Sequence, residues 1–133
     1  ANWIGINALG NAAANLGEGV LITDGASNNL IGGTGTNDGN VLSGNLGDGI
    51  HIRDNLIPGT TNNTIQGNII GLNAAGTAAI ANGDEGISIQ DATNTTIGGS
   101  ATAARNIISG NEAAGILIQN SAAGTVVQGN YIG

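Results

Sequence analysis

Cysteine and lysine are both absent from the 133 residues, the aromatic side chains are Trp3 and Tyr131 alone, and the single proline is Pro58. Without cysteine, neither a disulfide nor a thiolate metal site can form. Without lysine there is no Lys–Asn cross-link and no lysine general base. The only basic residues besides His51 are Arg53 and Arg105, and the formal net charge is −7. That balance argues against nucleic acid or an anionic membrane as partner. No apolar run approaches the length that spans a bilayer, and no signal-peptide pattern is found. A start at Ala1 suits a processed mature protein and an excised fragment equally.

What fills the chain instead is glycine, asparagine and short aliphatic segments, in an order that repeats. Asn106 to Ile118 reads N-I-I-S-G-N-E-A-A-G-I-L-I, and Asn40 to Ile52 reads N-V-L-S-G-N-L-G-D-G-I-H-I. Looser copies begin at Asn2, Asn68 and Asn130. Three segments recur in strict order. Segment a contains Ile31, Ile65, Ile97 and Val127; segment b contains Ile4, Leu42, Ile70, Ile108 and Ile132. Segment c contains the pairs Val20/Ile22, Ile50/Ile52, Ile87/Ile89 and Ile116/Ile118. Ile31 to Leu42 and Ile97 to Ile108 are eleven residues apart, but Ile65 to Ile70 and Val127 to Ile132 only five. Segment length is constant while corner length alternates, so the full unit is a pair of circuits, as the offset from Asn40 to Asn106 shows. Such self-similarity is the signature of a solenoid. A single circuit of three short strands needs about 23 residues, at roughly 3.3 Å per strand residue plus corners.

Inside each segment the period is two, so alternate side chains face in and out. Segment c makes this plainest, with aliphatic residues on either side of Leu21, His51, Ser88 or Leu117. β-branched residues suit such a stack because they pack well on a pleated surface. Asparagine forms further columns: Asn2, Asn40, Asn68, Asn106 and Asn130 before segment b, then Asn7, Asn45, Asn73 and Asn111 after it. Asparagine tolerates left-handed corners, and stacked amides can bond from one circuit to the next. Glycine recurs at fixed repeat positions, where a corner needs positive φ.

The pattern N-x-I-x-G-N-x-x-x-G-I-x-I followed by N-T-I-x-G resembles the right-handed parallel β-helix repeats of bacterial secreted and surface proteins, over essentially the whole chain. The resemblance implies an all-β, right-handed, single-stranded parallel β-helix of about four turns, three short strands to a turn. It is specific for fold and poor for function, since that architecture serves lyases, hydrolases, adhesins and spacers. One domain over 1–133 is expected, with turns at 1–29 (partial), 30–63, 64–94, 95–124 and 125–133 (partial). Export remains compatible with the missing cysteines, because stacked turns satisfy their own backbone hydrogen bonds.

Candidate chemistry is sparse. Glu18, Asp48 and Glu85 precede the glycine of segment c, and Asp24, Asp54 and Asp91 follow its last isoleucine. The second trio is the candidate calcium column. A single column supplies too few of the six to eight oxygens that calcium takes, so hydrated turns are the favoured reading and no cofactor is expected. Gly32 to Asp38 approaches the calcium nonapeptide G-G-x-G-x-D, but the aligned stretch from Gly98 has lost it. His51, Arg53 and Asp54 mix a base, a cation and a carboxylate; a general acid/base pair would want a second carboxylate and a cleft, and neither is visible. No catalytic residue is assigned. Polysaccharide lyases of this architecture are described by resemblance as using Lys or Arg bases, and hydrolases as clustering Asp on one face, which this chain does not do.

The outward column Trp3, Val41, Ile69, Ile107 and Tyr131 is either covered by a loop such as Ala74 to Glu85 or met by a partner. Both ends fall at one phase of the repeat, with Asn2-Trp3-Ile4-Gly5 matching Asn130-Tyr131-Ile132-Gly133. Trp3, Ile4, Tyr131 and Ile132 are therefore the expected assembly residues, either end to end between molecules or against flanking turns of a longer chain. The expected role is a non-enzymatic extracellular or cell-surface segment: spacer, adhesin stalk or filament subunit. A carbohydrate-binding module is the alternative, and a polysaccharide-degrading fragment comes third.

Overall fold

A computed structural model describes residues 1–55 and 59–133, so Pro58 in the longest corner lies outside the described residues. The described chain is all-β apart from one 3-10 turn at Thr102–Ala104. Thirteen strands run β1 (Trp3–Ile4), β2 (Val20–Ile22), β3 (Leu30–Gly32), β4 (Val41–Leu42), β5 (Ile50–Arg53), β6 (Thr64–Gln66), β7 (Ile69–Ile70), β8 (Ile87–Gln90), β9 (Thr96–Gly98), β10 (Ile107–Ile108), β11 (Ile116–Gln119), β12 (Val126–Gln128) and β13 (Tyr131–Ile132).

Every strand pairs in parallel, and the chain visits three sheets in rotation. Sheet I stacks β1-β4-β7-β10-β13, sheet II stacks β2-β5-β8-β11, and sheet III stacks β3-β6-β9-β12. The architecture is a parallel β-solenoid with three stacked sheets. Its register is the sequence alignment itself: Ile4, Leu42, Ile70, Ile108 and Ile132 oppose one another in sheet I. Val20, Ile50, Ile87 and Ile116 do so in sheet II, and Ile31, Ile65, Ile97 and Val127 in sheet III. A one-residue slip would turn each aliphatic column outward, which is why the register is so strongly specified. Leu42, Ile50, Ile52, Ile65, Ile70, Ile87, Ile89, Ile97 and Ile108 are fully buried between the sheets.

Asparagine holds the corners. In the first column each backbone N–H donates to the Oδ1 of the next rung: Asn2 to Asn40 at 2.9 Å, Asn40 to Asn68 at 3.0 Å, Asn68 to Asn106 at 2.9 Å and Asn106 to Asn130 at 3.1 Å. Glycine makes room for it. Gly32 has φ +86, and a Cβ there would sit 1.9 Å from the Gln66 carbonyl and 2.6 Å from Asn68 Oδ1. Gly98 repeats this against Gln128 and Asn130. Residues at both positions must therefore be glycine for steric as well as torsional reasons.

The second column differs from the expectation. It runs through Asn15, Asn45, Asn82 and Asn111, joined by side-chain amide bonds of 2.8, 2.9 and 2.8 Å. Asn7 and Asn73 are not in it. Each instead folds over the tip of an inserted hairpin: Asn7 Oδ1 accepts from the N–H of Leu9 and Asn11, and Asn73 Oδ1 from Thr77 and Ala78. The hairpins close through antiparallel bridges Ile6 to Ala12 and Leu72 to Ala79. The physical reason is direct: a turn-tip asparagine serves its own loop, while a ladder asparagine must sit at fixed distance from the strand it precedes. A third, shorter column pairs Asn29 with Asn63, whose Oδ1 accepts from both the N–H and the Nδ2 of Asn29.

Candidate functional site

Strand β5 alternates buried and half-buried residues, which sets Ile50 and Ile52 in the core and turns His51 and Arg53 outward. Just before it the chain bends through Gly47-Asp48-Gly49, and the Asp48 side chain, 7% exposed, lies beside the His51 ring. His51 Nδ1 is 3.1 Å from Asp48 Oδ2 and 3.5 Å from Glu18 Oε1. Asp48 Oδ1 accepts the Glu85 N–H at 2.9 Å. Three successive circuits thus meet at one place, with Asp84 and Glu85 closing the far side. The expectation for His51 is corrected here. Its carboxylates are Asp48 and Glu18; Asp54 turns away to accept from the Gly59 N–H at 2.8 Å and the Thr60 hydroxyl at 3.2 Å.

Electrostatics follow from that geometry. The hydrogen bond to Asp48 raises the His51 pKa, against burial and the Arg53 charge, with the Asp48 and Glu18 charges adding to the rise. Burial pushes Asp48 up, but bonding to His51 and Glu85 outweighs it and leaves the carboxyl below its ordinary value. Glu85 is pushed up to about 7 by desolvation and by sharing hydrogen bonds with Asp84 and Asp48. His51 Nε2 is buried without a hydrogen-bond partner among the described residues.

The signs set a pH profile. A raised His51 contributes stability that is whole below its unfolded pKa of 6.5 and fades as pH rises through the folded value. Glu85 acts in the same direction between 4.5 and about 7, because the fold favours its neutral form. Asp48 contributes above 3.8 and loses its contribution as pH falls through its lower folded value. The melting temperature, followed by circular dichroism in a chelating buffer, is therefore expected to be higher at about pH 5 than at about pH 8. His51→Gln and Glu85→Gln should each flatten that slope; a slope of opposite sign would refute the assignment.

The remaining candidates are scattered. Asp24 and Asp91 occupy left-handed corners at φ 55 and 58, and Asp91 Oδ1 accepts the Ser121 N–H at 3.1 Å. Neither these two nor Asp54 joins a three-residue metal-ligating group among the described residues. Trp3 and Tyr131 sit on opposite edge strands of sheet I, 46% and 59% exposed. Arg105 occupies one face of the Tyr131 ring at 4.1 Å and donates to its hydroxyl at 2.8 Å. Between them Val41 is buried and Ile69 and Ile107 are half-buried. Gly33, Gly35, Asn37, Gly39 and Ala74 border a groove that reaches Trp3, Val41 and Ile69, so inserted corners flank the column, which is most exposed at its two end strands.

No helix among the described residues is long and apolar enough to cross a membrane. Comparison with protein-family models, curated proteins and solved structures finds no match.

Proposed function

We propose that this chain is a non-enzymatic structural segment, a right-handed coil of about four turns whose end faces stack on further coils of the same repeat, as in a surface spacer, stalk or filament. The observation that carries this reading is the direction of the asparagine ladder. Each rung donates its N–H toward the C-terminal end and accepts on Oδ1 from the other side. Asn2 Oδ1 at one end and the Asn130 N–H at the other are therefore complementary, as are the edges of β1 and β13. In the last circuit Ile118, Val127 and Ile132 are 43%, 42% and 52% exposed, and Ile132 borders a hollow of about 140 Å³ lined also by Ile108, Asn111 and Gly115. Aliphatic residues that are fully buried one circuit earlier want the same cover.

A head-to-tail contact of this kind is heterologous and does not close on itself, so it propagates. An extracellular setting and kinship with the bacterial β-helix repeats belong to the same proposal and rest on the resemblance of the repeat pattern alone. Light scattering should register a mass that grows with concentration, and a charged helical cap appended after Gly133 should stop the growth while leaving the β-signal in circular dichroism. A mass that stays that of one chain at the highest concentration overturns self-stacking.

Carbohydrate binding is the second reading, favoured by the open Trp3 ring beside Asn37 and Asn40. Arg105 already covers Tyr131, which leaves a single aromatic platform. Loss of glycan retention in Trp3→Ala would support it, and silence of the unaltered protein on a glycan array would remove it.

A further inference from the structure

We propose that Glu18, Asp48 and His51 form a binding site for a divalent transition-metal ion of the zinc type, which clamps neighbouring circuits of the coil together.

The donor atoms are Glu18 Oε1, Asp48 Oδ2 and His51 Nδ1, all within 4.8 Å of one another. The two distances to the nitrogen, 3.1 and 3.5 Å, match the donor-to-donor edge of about 3.3 Å that a tetrahedron with bonds of about 2.0–2.1 Å requires. A proton on Nδ1 satisfies one acceptor; here two carboxylates from different circuits converge on the same nitrogen. A metal ion on the imidazole lone pair satisfies both.

Charge points the same way. Glu18 and Asp48 act on this imidazole, and Asp84 and Glu85 gather on the other side of Asp48, with Arg53 the one guanidinium acting on the ring. The repeat also breaks its own rule here. The outward position of sheet II is Leu21, Ser88 or Leu117 in the other circuits, and carries an imidazole only where Asp48 and Glu18 lie beside it. An imidazole with carboxylates suits zinc and its neighbours, whereas calcium and magnesium want oxygen alone. Three protein ligands leave a fourth position for water, and Glu18, 29% exposed, provides the entry side. The site is separate from the Asp24, Asp54 and Asp91 column, and its role does not depend on whether the ends stack.

The test is titration of the intact chain with zinc ion in chelator-free buffer. Calorimetry should give one saturable equivalent, and the melting temperature should rise with zinc but not with calcium. Because His51 is the only histidine, its ring C–H resonances should shift with zinc and report this site alone. His51→Gln should weaken binding about 100-fold or more, since outer-shell partners by themselves are worth about 10–100-fold. Glu18→Gln, on a half-exposed side chain, is the variant expected to keep the fold intact, checked by circular dichroism in chelator. Absence of saturable zinc heat, zinc binding that leaves the His51 resonances in place, or an affinity in both variants unchanged from that of the unaltered protein overturns the proposal.

Discussion

Ile87→Asn is expected to lower the melting temperature by about 15 °C or more, the largest effect of any single change considered for this chain. Ile87 is fully buried and stacks between Ile50 and Ile116 in sheet II. Asparagine there removes aliphatic contacts to both neighbours and brings an amide into a column with no acceptor for it. Lost packing and buried polarity together cost on the order of 5 kcal/mol, comparable to the whole stability of many domains. Thermal unfolding with circular dichroism detection checks it. An unchanged midpoint would mean that residue 87 does not face inward, and the alternation through sheet II would fall with it.

Asn68→Ala should come next, at about 3 kcal/mol or more, since each buried polar group left unpaired costs about 1–3 kcal/mol. Asn68 Oδ1 accepts from the N–H and Nδ2 of Asn40, while its own Nδ2 donates to the Ile31 carbonyl at 3.0 Å and to Asn106 Oδ1 at 3.0 Å. Alanine leaves the Asn40 N–H and side-chain amide without their acceptor inside the corner and withdraws the donor to the Ile31 carbonyl, while Asn106 Oδ1 keeps the Asn68 N–H. The control is Asn73→Ala, in an exposed hairpin tip whose bonds water can replace, with an expected cost of about 1 kcal/mol or less. Denaturant midpoints for the pair separate ladder from loop. Equal midpoints would mean that the amide ladder contributes no more than an ordinary turn.

That contrast also marks how legible the molecule was. Counting forward from segment b selects Asn7 and Asn73; counting five residues back from Val20, Ile50, Ile87 and Ile116 selects Asn15, Asn45, Asn82 and Asn111, the observed ladder. Insertions fall between the two reference points, so only the count that stays on the ladder's side of the insertion keeps register. Asn29 and Asn63 were readable by the same rule, two residues before Ile31 and Ile65.

The sequence alone determined the three aliphatic columns, their register and the first asparagine ladder, because period-two burial and a repeating segment length leave one consistent stack. It also determined that Asp24, Asp54 and Asp91 belong to corners. Only the tertiary structure decided the company of His51. Glu18 lies thirty-three residues upstream of it, yet parallel stacking sets Leu21 opposite His51, and the bend through Gly47 and Gly49 brings Asp48 to the ring. Spacing along the chain puts Glu18 and Asp48 at one repeat position but does not show their convergence on the ring, which depends on how far each corner turns a side chain across the gap between circuits. The uneven cover of the apolar column, with Val41 buried and Trp3 and Tyr131 open, was decided there too, by the paths that inserted corners take over sheet I.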